Sequence, residues 1–304
     1  MKKSTIIALC ICIAGIGLMI AGFALSKGNW RKMGLNSYNV VRKTYECTTN
    51  IDNLEVYETS NEVKIVRGDV NKPVVDYSET NNCTYEIKES NGTLSIERKK
   101  IKDVYFNFDF NAEDTHLVIT LPNSTKGDFD IKTSSGAIMI TDIKCEKMAL
   151  EASSGAIKIT DSETKDAALS ASSGSIKVEN LEADDVTVTT TSGSIHFDNL
   201  KAKDVNVNVT SGGISFNNID VSSLGLGATS GSVMCNDISI KDSIVAKTTS
   251  GSISLSLNGK ENDYSIDTSI TSGSCNVSDR TGGSKSIKAS ATSGSIIIKF
   301  DQTI

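Results

Sequence analysis

The chain has 304 residues, a formal net charge of −6, two prolines and one tryptophan. An acidic chain without a basic stripe excludes a dedicated nucleic-acid binder. Its seven cysteines are an odd number and show no C-x-x-C spacing, so neither a paired framework nor a two-cysteine metal motif is written into them.

The chain opens on Met1, Lys2 and Lys3, followed by an uncharged apolar stretch over residues 6–25. That is long enough to cross a bilayer core of ~30 Å as one helix. Residues 1–26 therefore read as a retained transmembrane anchor. A cleaved signal peptide is the rival, because Ala24 and Ser26 offer a small-residue cleavage site. Lys2 and Lys3 on one side face Lys27, Arg31 and Lys32 on the other, so charge does not set the orientation. Residues 27–50 read as a juxtamembrane linker whose Trp30 suits the membrane interface.

Residues 51–125 read as irregular first coils of the array that follows. Taking Asn61 as a corner, Leu54 and Val56 precede it, and Val63 and Ile65 follow it, at inward spacing. Taking Gly92 as a second corner places Tyr85, Ile87, Leu94 and Ile96 in the same way. Asn is the residue that, after Gly, best accepts a left-handed corner. Val104, Phe106, Phe108 and Phe110 then alternate and share one strand face. With Tyr105, the residues Phe106, Phe108 and Phe110 are the candidate contact for a partner protein or a sugar, set against a plain role as a cap or widened core.

Residues 126–304 carry a repeat. A Ser-Gly pair places glycines at 136, 155, 174, 193, 212 and 231, each 19 residues after the last, and then at 251, 273 and 294. Taking that glycine as position 0, positions −7, −5, +2 and +4 are apolar, as in Val186, Val188, Ile195 and Phe197. Alternation of this kind means strands with one buried face. The odd count from −3 to +2 breaks the phase, so each coil reads as two short strands joined at a bend, with Gly supplying a positive φ. A second corner falls at Asp142, Asp161, Asn180, Asn199, Asn218 and Asp237, residues that bond their own backbone in turns. Two strands cannot seal an apolar face alone, so the coils stack in parallel. The predicted fold is all-β, a parallel β-solenoid roughly 40 Å long. Its last strand, residues 295–304, has no cap and invites end-to-end self-association.

No catalytic, cofactor or metal-binding constellation emerges. The corner Asp and Asn recur once per coil, as turns require and a single active site does not. His116 and His196 are far apart, and neither belongs to a metal motif. The Ser and Thr columns at −2 and −1 read as hydroxyls that bond neighbouring coils. Cys235 and Cys275 fall in inward columns as small hydrophobes, and Cys47 and Cys83 are the pair able to bridge if the domain is exported.

The repeated Thr/Ser-Ser-Gly-Ser/Ala-Ile, the segment Leu117 to Pro122, and the opening run from Ile51 to Tyr57 with Val63 to Gly68 resemble the bacterial putative adhesin family of β-strand repeats. The resemblance spans about residues 51–304. It implies an exported or membrane-anchored surface protein and brings no catalytic residues. The expected function is a non-catalytic binding, adhesion or scaffolding module held outside the cell by a single-pass anchor, with a surface protein or glycan as ligand. A regulatory or envelope-stress component that binds a membrane partner is the alternative, and a glycan-active enzyme ranks third.

Overall fold

The computed structural model describes residues 40–80, 83–101 and 115–301. No helix among them is long and apolar enough to cross a membrane, and the apolar stretch at 6–25 lies outside them. In chain order the strands are β1 (Val41–Glu46), β2 (Asn53–Glu58), β3 (Glu62–Arg67), β4 (Val74–Glu79), β5 (Cys83–Ser90), β6 (Thr93–Lys100), β7 (His116–Leu121), β8 (Asp128–Thr133) and β9 (Ile138–Thr141). The regular array continues through β10 (Lys144–Ala152), β11 (Ile157–Ala171), β12 (Ile176–Thr190), β13 (Ile195–Ser211), β14 (Ile214–Ser230), β15 (Val233–Ser250), β16 (Ile253–Asn258), β17 (Tyr264–Cys275) and β18 (Lys285–Asp301).

The parallel solenoid is present, in the expected register. Ile157 pairs with Ile176, Ile176 with Ile195, Ile195 with Ile214 and Ile214 with Val233. Like residues therefore stack, down to Phe197 on Phe216, whose rings lie parallel with centroids 4.9 Å apart. The coil, however, has three inward faces rather than two. Ile157 and Ile159 are buried, then Ser162 and Thr164, then Ala167, Leu169 and Ala171. Each step between these groups is odd, and an odd step in a period-two pattern is a corner. The face bearing Ser162 and Thr164 is short, so a strand such as β11 runs through two corners without losing its ladder.

At position 0 the expected positive φ occurs at four of the nine glycines, Gly212, Gly251, Gly273 and Gly294, with φ between 144° and 157°, and close packing of coils accounts for the others. At Gly155, Gly174 and Gly193 the backbone is not left-handed. A Cβ there would instead collide with the carbonyl oxygen of the corresponding glycine one coil below. Close approach of two backbones selects glycine, and Asn61 at the first corner is likewise not left-handed. Within the regular array the non-glycine residues with positive φ are those of the second corner, Asp142, Asp161, Asn180, Asn199, Asn218 and Asp237, with φ between 50° and 58°.

The bonds of that second corner also run between coils. Asn180 donates to Asp161 at 2.5 Å, Asn199 to Asn180 at 2.8 Å and Asn218 to Asn199 at 2.6 Å. Asn199→Ala removes one bond given and one received, and forces a left-handed alanine. It is expected to cost about 2 kcal/mol, and Asn199→Gly about 1, because Gly retains the conformation. Urea midpoints that rank the two variants in the opposite order would contradict this account.

Both poles depart from chain order. β2 and β3 lie between β6 and β7 on one side and β8 and β9 on the other. At the far pole β18 lies between β15 with β16 and the outermost β17. The first and last coils in sequence are thus clamped between neighbours and cannot fray singly. Gly92 is not a coil corner. Asn91 and Gly92, with φ of 51° and 75°, form a two-residue hairpin turn joining antiparallel β5 and β6. Leu94 consequently stacks on Leu54, not on Val63.

Residues 41–46 of the expected linker form β1, the antiparallel neighbour of β4, which in turn covers β7. At the other pole the outer edge is β17, not residues 295–304. It is partly covered: Ile266 and Arg280 exchange backbone bonds of 2.8 and 2.9 Å, and Asp279 accepts from the Thr268 N–H at 2.7 Å.

Candidate binding groove

The three outer faces differ in charge. On the face bearing positions +8 and +10, Lys144 meets Glu163, Lys201 meets Glu182 and Lys203 meets Asp184 at 2.6 to 2.8 Å. On the face bearing +3 and +5, Lys158 and Lys177 both reach Glu179. These are exposed pairs that set surface character more than stability. The third face, positions −6 and −4, is uncharged through its middle: Ala168, Thr187, Asn206, Gly225 and Val245 form one column.

Beside that column runs a groove of about 560 Å³. Its wall is the −4 column, Ser170, Thr189, Asn208, Gly227, Lys247 and Ser290, which are successive ladder partners. The hydroxyls of column −2, from Ser172 to Thr292, form the opposite lip. Its floor is column −3, where Ala171, Thr190, Val209, Ala228 and Thr248 are buried. Thr190 turns its hydroxyl inward to accept from the Gly193 N–H at 3.1 Å. A second depression of about 280 Å³ continues along the face towards Lys132. The chemistry on offer is hydroxyl, amide and backbone hydrogen bonding, with the Lys247 ammonium as the charge among the lining residues. Serines of the Ser-Gly pair bond chiefly through backbone, as in Ser173 N–H to Ser153 carbonyl at 2.9 Å, while their side chains face solvent.

The one cluster of buried ionisable groups is at the other end, among the described residues of β2, β5 and β6. Glu58 is fully buried and accepts from the N–H groups of Thr59, Ser60 and Asn61 at 2.7, 2.9 and 3.1 Å. It also accepts from Arg98 at 2.6 Å and from the Tyr85 hydroxyl. Burial opposes its charge, but the Ser60 N–H, the Tyr85 hydroxyl and Arg98 together hold the carboxyl below its usual 4.5. Burial and the same carboxylate push the Tyr85 phenol up. Asn61 donates to Tyr85 at 2.9 Å and accepts from Thr115 at 2.8 Å. Glu58 was not among the sequence-derived candidates, although Asn61 as a corner puts it at the inward −3 position.

Tyr105, Phe106, Phe108 and Phe110 lie outside the described residues. His116 shares a hydrogen bond with Ser78 at 3.1 Å on β7, and His196 sits in the +3 column, so the two histidines are not brought together. Among the described residues no group of His, Cys, Asp and Glu is arranged to hold a metal ion. Cys47 and Cys83 are both buried free thiols, and Cys83 accepts from Arg98 Nε at 2.8 Å.

A family model described as Toastrack DUF4097 matches residues 51–302. Among solved structures the chain is similar to a "putative lipid binding protein" from Parabacteroides distasonis, with a TM-score of 0.51 at 18% identity, over 85% of this chain and 98% of that one. It is also similar to a "putative adhesin" from Parabacteroides merdae, TM-score 0.47 at 13% identity over 84% and 95% of the two chains. For a "putative adhesin" from Bacteroides fragilis the values are 0.43, 15%, 87% and 98%. No curated protein matches the chain. At these identities the first likeness speaks to the fold alone.

Proposed function

The chain belongs to the toastrack DUF4097 family, and from that premise we propose that it is a non-catalytic binding module displayed outside a bacterial cell by its N-terminal apolar segment. The observation that carries this reading is the hydroxyl-lined groove, with Lys247 as the charged side chain of its lining, crossing six consecutive coils of a rod whose other faces are charged. A ligand laid along the stack can meet the same group once per coil. An active site would instead need a singular cluster, and the acidic residues of the second corner are spread evenly. Partial covering of β17 by Asp279 and Arg280 argues for single rods rather than end-to-end chains.

Placement is tested by labelling. Ser154 is exposed, and Ser154→Cys in the full chain is expected to react with a membrane-impermeant maleimide on intact cells. Labelling only after lysis overturns the outward placement. Photo-crosslinking from Thr229 on intact cells should trap the ligand, and an absence of any adduct from the groove counts against the binding role.

A second reading, a regulatory component holding a membrane partner, is favoured by one observation. β6 and β7, which flank residues 102–114, are the outermost parallel strands at the pole where β1 enters. Phe106→Ser with Phe108→Ser should then abolish capture of that partner while the rod stays folded. Unchanged capture removes this alternative.

A further inference from the structure

Along positions −6 and −4 of the coils, the outward residues carry side chains everywhere except at Gly225 and Gly227, which occupy both positions of one coil. The fold gives no reason for them. Neither has a left-handed φ. A Cβ on Gly225 would sit in ordinary contact, 3.4 Å from the Asn206 side-chain oxygen, and one on Gly227 would press only on the amide tip of exposed Asn208. This is the reverse of Gly155 or Gly174, where the obstacle is backbone. Glycine within a strand weakens it, and where neither conformation nor packing requires it, it marks a place where something else comes close to the backbone.

Removing two side chains opens a notch in the wall of the groove. One side is Asn206 and Asn208, linked by a 3.2 Å bond from the Asn208 amide to the Asn206 oxygen. The other is Val245 and Lys247 on the next coil. The two rows stand two strand spacings apart, roughly 9–10 Å, which admits one six-membered ring lying flat on the glycine backbone.

We infer that the groove binds an extended, uncharged polysaccharide, with one sugar ring seated on Gly225 and Gly227. This rests on the reading of the chain as a binding module and names its ligand class. An acyl chain would need apolar walls, and the apolar side chains lining the groove, Ala171, Val209 and Ala228, are buried in its floor between rows of polar side chains. A nucleic acid or an anionic polymer would need more than Lys247. A neutral glycan matches the hydroxyls and amides as donors and acceptors. An extended β-1,4-linked chain also advances by nearly one strand spacing per sugar, so each sugar meets an equivalent coil across the ~24 Å spanned by six of them. No aromatic platform is used, so affinity accumulates along the length of the chain.

The test is calorimetric titration of the full chain in detergent with soluble β-1,4-linked glucose and N-acetylglucosamine oligomers, from disaccharide to hexasaccharide. Maltohexaose is a comparison ligand in the same titration, and phosphatidylglycerol vesicles are offered separately to the full chain held in detergent-free nanodiscs. Affinity should rise with oligomer length and be weaker for the coiled α-linked maltohexaose. Gly225→Thr with Gly227→Thr copies the coil bearing Thr187 and Thr189, which the fold already accommodates. It should weaken binding about tenfold or more while leaving the melting temperature unchanged or raised, because Thr suits a strand better than Gly. Three results would overturn the inference: no β-linked oligomer binding, undiminished binding by the double variant, or binding to vesicles alone. If crosslinking at Thr229 captures a protein while the oligomers fail, the glycan assignment falls and the binding module stands. If labelling places Ser154 inside the cell, the display role falls and the titration still reports on the groove.

Discussion

Gly174→Ala is expected to cost about 3 kcal/mol or more, although it adds only one methyl group at a turn. Overpacking ordinarily costs ~1–3 kcal/mol because side chains can rotate away. Here the new Cβ would meet the carbonyl carbon and oxygen of Gly155 and the N–H of Ala156, all backbone. That backbone is held by the Ser173 N–H to Ser153 bond at 2.9 Å and the Ile157 N–H to Ser175 bond at 3.0 Å. Making room means parting two coils along several ladder bonds. Stability in a stacked repeat is a sum of nearest-neighbour contacts, so the damage should centre on the junction of β11 and β12. Hydrogen exchange is then expected to lose protection first at Ile157 and Ser173, whose amides bond across that junction, and the urea midpoint should fall. Gly227→Ala is the control and should fall within about 0.5 kcal/mol of wild type, the usual range at unconstrained surface positions. Equal effects at the two sites would show that backbone contact between coils is not what selects glycine.

The stack itself could be read from sequence because a 19-residue period puts identical side-chain types on a ladder, and only a parallel solenoid places Ile157, Ile176 and Ile195 in one column. The identity of the corner residues could be read as well, but only part of the reason for them. Positive φ and close backbone approach both select glycine, and only coordinates separate the two. The inward face after the second corner was partly legible, since Ile143, Leu181, Leu200, Ile219 and Ile238 point back in there and are buried. Its second column was hidden because Ser162 and Thr164 stand where the next coil has Leu181 and Ala183. Asn91-Gly92 was the other missed signal: this dipeptide between alternating runs is a hairpin turn, but the glycine spacing drew it into the repeat. The interleaved order of coils at both poles left no trace in the period, because a coil looks the same to its neighbours whichever way the chain arrives. The groove was obscured for a related reason. Its hydroxyl columns were visible, yet their concavity depends on how the inward face ending at column −3 meets the turn. The aromatic run at 104–110 was read from its alternation, and it lies outside the described residues.

Glu58→Ala should be the most damaging single change at the first pole, with an expected loss of about 3–5 kcal/mol, the range for breaking a buried ion pair by removing one partner. The carboxylate does at the first corner what Thr133 does at the next, where the Thr133 hydroxyl accepts from the Gly136 N–H at 3.0 Å. It also draws Tyr85 of β5 and Arg98 of β6 onto the end of β2. Its loss leaves three turn N–H groups, a phenol and the guanidinium without their acceptor. The sign with pH follows from the lowered carboxyl. The stabilisation is fully present above the unfolded value near 4.5 and is lost as pH falls through the lower folded value. Glu89, held to about 2 by bonds from Thr49, Thr48 and Tyr45 that outweigh its desolvation, acts in the same direction on the loop before β2. Wild type should therefore lose stability on acidification below about pH 4.5, and Glu58→Gln should flatten that slope while retaining part of the fold's stability at neutral pH. Glu58→Thr with Arg98→Met restores the hydroxyl cap and removes the stranded cation together, so it should recover a large part of the loss of either single change. If the double variant is as unstable as Glu58→Ala, the contribution of Glu58 is anchoring Tyr85 and the β5–β6 hairpin rather than balancing a buried charge.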